Sequence, residues 1–222
     1  VKLSRPEYFR SGEALAKDGT SAVLEQPYSQ RVGGYADVIK PFIDFIIAAV
    51  LLLITSPVML VAAIMIKLDS KGPVIFRQER YGKNGVTFSI YKFRTMRTDA
   101  PKYGVSPTTS NDPRITRLGR LLRKTSMDEL PQLLNIIKGD MSFIGPRPEM
   151  KRIVEESYTD LERRRFLVKP GITGLWQVSD VRKEPIHHNL QYDFHYISNV
   201  SLKMDIIIIF KTVGVMIKSN TF

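Results

Sequence analysis

The pattern of apolar and polar positions changes character several times along the chain. Residues 1–36 mix charged residues with Ser, Gly and Gln and keep no period, which predicts a poorly ordered or peripheral leader. The leader lacks the succession of basic, apolar and small residues that marks a removable signal peptide. Residues 42–66 are apolar almost throughout, long enough at ~1.5 Å per residue to cross a hydrocarbon core of ~30 Å. Pro57 interrupts that run by removing an amide donor, and Ser56 beside it offers a hydroxyl to a freed backbone group. Arg31 and Lys40 precede the run while Lys67, Lys71, Arg77 and Arg80 follow it, so both ends carry the charge expected of a cytoplasmic side. Two readings stay open on this pattern: a kinked span, or a re-entrant helix-break-helix that enters and leaves by one face. Asp44, near the start of the run, needs water or a cation, and Lys40 one helical turn earlier is its candidate partner.

Beyond this run the period shortens. Residues 73–82 and 86–95 are β-rich and flank Lys83-Asn-Gly85, which predicts a hairpin. Residues 99–113, with three prolines, predict a long loop. Helical spacing returns at residues 114–124, where Ile115, Leu118, Leu121 and Leu122 oppose a row of arginines. Such a helix suits a membrane surface or a protein core equally. Further helices are predicted over 128–138 (closed by Gly139), over 149–166 as a charged surface helix, and over 202–218 as a last amphipathic or membrane-associated segment. The fold class expected is α+β: a membrane helix over 37–70 and a small domain over 71–222 with a β-hairpin and several interfacial helices.

The formal net charge of +11 is concentrated. From Lys67 to Lys124 there are fourteen basic residues against four acidic ones, a surplus of +10. A polyanionic partner is implied, and beside an apolar anchor lipid headgroups or nucleotide phosphates fit better than nucleic acid. With no cysteine, disulfides and thiolate metal sites are excluded, and His187, His188 and His195 lack metalloprotease spacing.

Within that basic setting the adjacent carboxylates Asp128 and Glu129 stand out. Ser126-Met-Asp-Glu129 matches a capping box, a purely structural role. Pro131 argues against it, because a helix capped by Ser126 would place the proline beyond the tolerated first turn, whereas a start at Asp128 keeps it inside. The carboxylates are then available to hold a metal or attack phosphorus. Arg147, followed by Pro148, has a restricted backbone and suits either bidentate phosphate binding or an ordinary turn. Residues 169–177, with two glycines and the only tryptophan, either wall a pocket or close a core.

Seven segments in order carry a family resemblance: Ser56-Pro57, Pro73-Val-Ile-Phe-Arg-Gln-Glu-Arg-Tyr-Gly82, Tyr91-Lys-Phe-Arg-Thr-Met96, Arg117-Leu-Gly-Arg-Leu-Leu-Arg123, Ser126-Met-Asp-Glu-Leu-Pro-Gln-Leu133, Gly139-Asp-Met-Ser-Phe-Ile-Gly-Pro-Arg-Pro148 and Lys169-Pro-Gly-Ile-Thr-Gly174. From about residue 40 to 218 the chain resembles the bacterial sugar transferases, the small monotopic phosphoglycosyl transferases that act on polyprenyl phosphate. The resemblance implies transfer of a sugar-1-phosphate from a UDP-sugar to undecaprenyl phosphate, with release of UMP, at the start of surface-glycan synthesis.

It also implies Asp128 as nucleophile and Mg²⁺ ligand, Glu129 as its partner, and a phospho-aspartyl sugar intermediate. Arg123 and Arg147 are its candidates for phosphate binding, with Arg94 and Arg114 as further substrate-binding candidates. Ser56-Pro57 becomes the break of a re-entrant helix, on the cytosolic face of a bacterial inner membrane. The expected partners are the UDP-sugar, undecaprenyl phosphate and membrane lipids, with a homodimer left open. Two positions depart from the family pattern: Pro41 stands where a basic residue is usual, and Asp180 where a glycine is usual. The multi-span segment of larger relatives is not expected here. A reading from another class, a non-catalytic basic module that binds lipid or scaffolds enzymes, is disfavoured by the Asp-Glu pair and Arg147.

Overall fold

The computed structural model describes residues 34–101, 107 and 112–218. Residues 1–33 of the expected 1–36 leader and most of the 99–113 loop lie outside these residues.

One π-helical turn, Tyr35–Ile39, leads into α1, Lys40–Asp69. Helical structure runs through the expected break, so that α1 is one element with Pro57 inside it. The missing amide of Pro57 deprives the Leu53 carbonyl of its partner, and Ser56 Oγ donates to that carbonyl at 2.8 Å. A missing bond has been replaced locally, so the helix does not end. α1 is long and apolar enough to cross a membrane. It nevertheless lays one stripe along the body of the protein. Ala48 and Leu52 pack with Ile90, Leu133, Ile136 and Met141, while Met59, Ala62 and Ile66 pack with Phe93, Leu122 and Leu130. The opposite face is bare, with Leu53 77% and Ile54 65% exposed.

The foot of α1 is tied down by charge. Lys40 Nζ lies 3.9 Å from Asp44, its expected partner, but only 2.7 Å from Asp205, which also accepts hydrogen bonds from Tyr35 and Tyr196. Asp44 in turn accepts from Ser142 Oγ at 2.7 Å.

The predicted hairpin forms: β1 (Ile75–Tyr81) pairs antiparallel with β2 (Thr87–Phe93). The wholly buried Asn135 docks this hairpin to the rest, accepting from Tyr91 N at 3.0 Å and donating to Ser89 O at 2.8 Å. Helix α2, Arg117–Lys124, begins three residues later than expected. Ile115 is drawn into a bridge with Met96, and Thr116 caps the helix through Gly119 N at 2.9 Å. At Gly119 the helix crosses the backbone of Thr95, where a Cβ would meet the Thr95 oxygen at 2.1 Å. Glycine is required there by close approach.

A 3₁₀ turn, Met127–Gln132, runs into the short helix α3, Leu133–Ile137. Two short strands follow in parallel, β3 (Ser142–Ile144) and β4 (Gly171–Thr173), meeting so closely that a Cβ on Gly171 would lie 2.2 Å from Gly145 N. The surface helix expected over 149–166 is two pieces, α4 (Lys151–Ser157) and a 3₁₀ turn (Glu162–Leu167). A capping box divides them: Glu162 Oε2 accepts from Thr159 N at 2.8 Å, and Thr159 Oγ1 accepts from Glu162 N at 3.4 Å. The second piece is not a surface element, since Arg165 is 1% and Phe166 8% exposed. Helices α5 (Gln191–Ser198) and α6 (Leu202–Lys218) complete the chain. α6 has the expected bounds and bares Phe210, Val213, Met216 and Ile217.

Candidate active site

At the end of α2 the chain reverses through Ser126, which adopts a left-handed backbone with φ 55°. An N-cap side chain needs an extended backbone to reach the amides ahead of it, and Ser126 makes no capping bond. Glu129 is therefore free of the capping box and turns to the hairpin, where Lys92 Nζ donates to its Oε1 at 2.6 Å. Leu130 in the same turn packs against Ala62 and Ile66 of α1, which fastens the dyad to the apolar helix.

The two neighbouring carboxyls titrate in opposite directions. Burial pushes Asp128 up to about 6, with the Glu129 charge adding to the effect and Lys92 and Arg123 opposing it. Burial also raises Glu129, but the Lys92 ammonium, the Arg147 guanidinium and the Gln132 amide outweigh it, leaving this carboxyl below its ordinary value. Environment has separated an ionised acid from one poised near neutrality. Among the described residues, no other side chain hydrogen-bonds the Asp128 carboxylate. Among them, its own backbone amide is the one hydrogen-bond donor that acts on it.

Cations approach from three elements. Lys92 comes from β2, and Arg123 from the last turn of α2, its Nε held 2.9 Å from Thr95 Oγ1. Arg147 follows β3, its guanidinium 6.0 Å from the centroid of the Trp176 ring. Gln132 Nε2, in a side chain only 2% exposed, makes no well-formed hydrogen bond although the amide favours the charged form of Glu129. No group of three or more His, Asp or Glu side chains arranged for a metal occurs among the described residues.

A sequence model of the bacterial sugar transferase family matches residues 35–219, which take in the whole of this geometry. The chain belongs to the bacterial sugar transferase family. A UDP-N-acetylgalactosamine-undecaprenyl-phosphate N-acetylgalactosaminephosphotransferase of Aeromonas hydrophila is 41% identical over 180 residues, 79% of this chain and 43% of the relative. A UDP-glucose:undecaprenyl-phosphate glucose-1-phosphate transferase of Escherichia coli K12 is 40% identical over 197 residues, 84% of this chain and 42% of the relative. The chain thus spans less than half the length of these two relatives. An exopolysaccharide production protein of Rhizobium leguminosarum bv. phaseoli is 42% identical over 187 residues, 79% of this chain and 94% of the relative.

In this family member the remaining expected site residues are placed elsewhere. Arg94 does not join the dyad: its guanidinium donates to the carbonyls of Ile66, Ser70 and Lys71 and to Ser70 Oγ, closing the C-terminal end of α1. Arg114 pairs with Asp112 at 2.6 Å, near enough to Arg123 to be felt electrostatically. Ser56 and Pro57 lie mid-way along α1, and Asp180 is exposed. Sequence reasoning missed Lys92 and Asn135. The signal for Lys92 was a lysine inside a strand between two aromatics, Tyr91 and Phe93, an unusual place for an unpaired cation.

Proposed function

We propose that this chain is the catalytic unit of a phosphoglycosyl transferase that moves a sugar-1-phosphate from a UDP-sugar to undecaprenyl phosphate and releases UMP. The observation that carries the reading is the Asp128-Glu129 turn, set among Lys92, Arg123 and Arg147 and packed through Leu130 onto the apolar helix. The names of the relatives from Aeromonas hydrophila and Escherichia coli supply the substrate classes.

In this mechanism an Asp128 oxygen attacks the phosphorus that bears the sugar, the bond to the UMP oxygen breaks, and UMP leaves with that electron pair. An acyl phosphate now joins Asp128 to the sugar. An oxygen of undecaprenyl phosphate attacks the same phosphorus and the carboxylate departs, regenerated, leaving the sugar on a lipid diphosphate. Lys92, Arg123 and Arg147 offset the charge that builds on the phosphoryl oxygens. Glu129, ionised, holds Lys92 beside the nucleophile. The Asp128 carboxylate, which no other side chain hydrogen-bonds among the described residues, fits Mg²⁺, which in phosphate enzymes is held by one or two carboxylates together with substrate oxygens. Asp128 would hold the ion with Glu129 adjacent, and the ion would supply neutralisation of the diphosphate.

We read α1 as re-entrant, with both ends on the cytosolic side of a bacterial inner membrane. Support comes from its packing: the two ends of the buried stripe, Lys40 and Ile66, rest against the rest of the protein, Lys40 through Asp205 and Ile66 through Phe93 and Leu122, and basic residues flank both ends. The bare apolar faces of α1 and α6 are assigned to lipid.

The test is release of UMP from a panel of UDP-sugars in the presence of undecaprenyl phosphate and Mg²⁺. Release with one or a few sugars is expected. No release with any would favour the non-catalytic anchored module.

A further inference from the structure

Arg165 lies in a run of three arginines, Arg163-Arg164-Arg165, yet it alone is withdrawn from solvent, at 1% exposure. Its charge is met by Asp193, itself 2% exposed, with Nη2 at 2.6 Å and Nε at 2.9 Å from the same Oδ2. Nη1 donates to the Tyr158 hydroxyl at 3.0 Å. Burying two charges costs several kcal/mol per ion unless geometry and hydrogen bonding are nearly complete. The remaining bond is directed at one place: Nη2 donates to the backbone oxygen of Arg147 at 2.7 Å.

That oxygen is the middle one of three in succession, each held by a donor from a different part of the chain. Pro146 O accepts from Gly171 N at 2.9 Å, Arg147 O from Arg165, and Pro148 O from Arg80 Nη1 at 3.2 Å. Neither proline has an amide to donate, so this segment cannot secure itself through a ladder of its own. Side chains and a distant strand fix it instead. The arginine between the prolines presents its guanidinium toward Trp176 and within electrostatic reach of Glu129.

We propose that Arg165, held by Asp193, is a positioning residue that sets the backbone of Arg147 and thereby the place of its guanidinium in the cleft. The functional consequence rests on the reading of Arg147 as a phosphate-binding residue; the geometric one does not. Arg165→Lys keeps a cation for Asp193 but cannot also reach the Arg147 carbonyl with the same fork.

The test has two arms. Trp176 is the only tryptophan, so its emission reports the Arg147 guanidinium near its ring without any turnover. Arg147→Ala and Arg165→Lys should shift that emission in the same direction, and Arg165→Lys should add nothing once Arg147 is alanine. In the kinetic arm, each single variant should raise KM for the UDP-sugar about tenfold, again without addition in the double variant. A wild-type spectrum for folded Arg165→Lys, or shifts that simply add, overturns the positioning role. Coupled spectral shifts with an unchanged KM in Arg147→Ala would uphold the geometric link and defeat instead the assignment of Arg147 to the substrate. Should Arg165→Lys fail to fold, Asp193→Asn frees the same guanidinium and is read in the same way.

Discussion

The Nζ of Lys92 stands 2.6 Å from Oε1 of Glu129, joining strand β2 to the dyad turn across thirty-seven positions of sequence. The contact gives the site its charge order. One ammonium neutralises Glu129 directly and also lowers the pKa of Asp128, which burial has raised. Lys92→Met should therefore lower kcat by about 10²- to 10³-fold and move the acidic limb of the pH profile upward. Initial rates across pH 5–8 on variant and parent check this; an unmoved limb would remove Lys92 from the electrostatics of the dyad.

The pH dependence of the parent enzyme follows from Asp128. On the proposed mechanism this carboxylate must be ionised to attack, so kcat/KM, which reports the free protein, should fall as pH drops through about 6, the value to which burial raises this group before Mg²⁺ and substrate bind. The effect on stability has the opposite sense. The folded carboxyl titrates near 6 and the unfolded one near 3.8, so its charge destabilises the fold above pH 6, and that penalty vanishes below pH ~4. Asp128→Asn should consequently be inactive, by more than about 10³-fold, yet more stable than the parent at pH 7.5 by about 1–2 kcal/mol after allowance for partial exposure. Thermal melts at pH 7.5 and pH 4.5 decide the point, since the advantage should shrink at the lower pH.

Topology is open to a direct chemical test because the chain has no cysteine of its own. Single cysteines at Gly34 and Lys71, on either side of α1, should both be shielded from an impermeant thiol reagent in intact spheroplasts and both react after lysis. Labelling of one position alone in intact cells would establish a spanning helix. Replacing Ser56 and Pro57 together by leucine restores the amide that Leu53 O lacks and should favour that outcome.

Arg94 has been placed outside the chemistry. Because it closes the carbonyls of Ile66, Ser70 and Lys71, Arg94→Met should lower thermal stability by about 2–4 kcal/mol while leaving KM for the UDP-sugar within about twofold in the folded fraction. A tenfold rise in KM with normal stability would return it to the substrate.

What the sequence disclosed and what it hid follow the range of the interactions. The hairpin was legible because its strand character and its Lys83-Asn-Gly85 turn lie within twenty residues, and α6 because its apolar period is unbroken. Pro131 counted rightly against a capping bond from Ser126, but the helix expected to start at Asp128 begins at Leu133, behind a 3₁₀ turn that contains the proline. The extended helix over 149–166 was an error because Arg163, Arg164 and Arg165 look alike in sequence, and only Asp193, twenty-eight positions on, makes Arg165 a buried residue. Arg94 misled for the same reason: its acceptors, Ile66 at the end of α1 and Ser70 and Lys71 just beyond it, lie more than twenty positions earlier. Pairing across such distances leaves no local period to read.

The central claim is that Asp128 becomes covalently bonded to the sugar phosphate. The chain is incubated with each of a panel of UDP-sugars and Mg²⁺, without lipid acceptor, quenched rapidly, and its peptides are weighed by mass spectrometry. The account predicts, for the correct sugar, UMP release approaching one equivalent, a sugar-phosphate mass on Asp128, its loss on adding undecaprenyl phosphate, and none in Asp128→Asn. Full turnover with lipid present, but no adduct and intersecting double-reciprocal lines, would contradict it and show that the lipid phosphate attacks the nucleotide sugar directly.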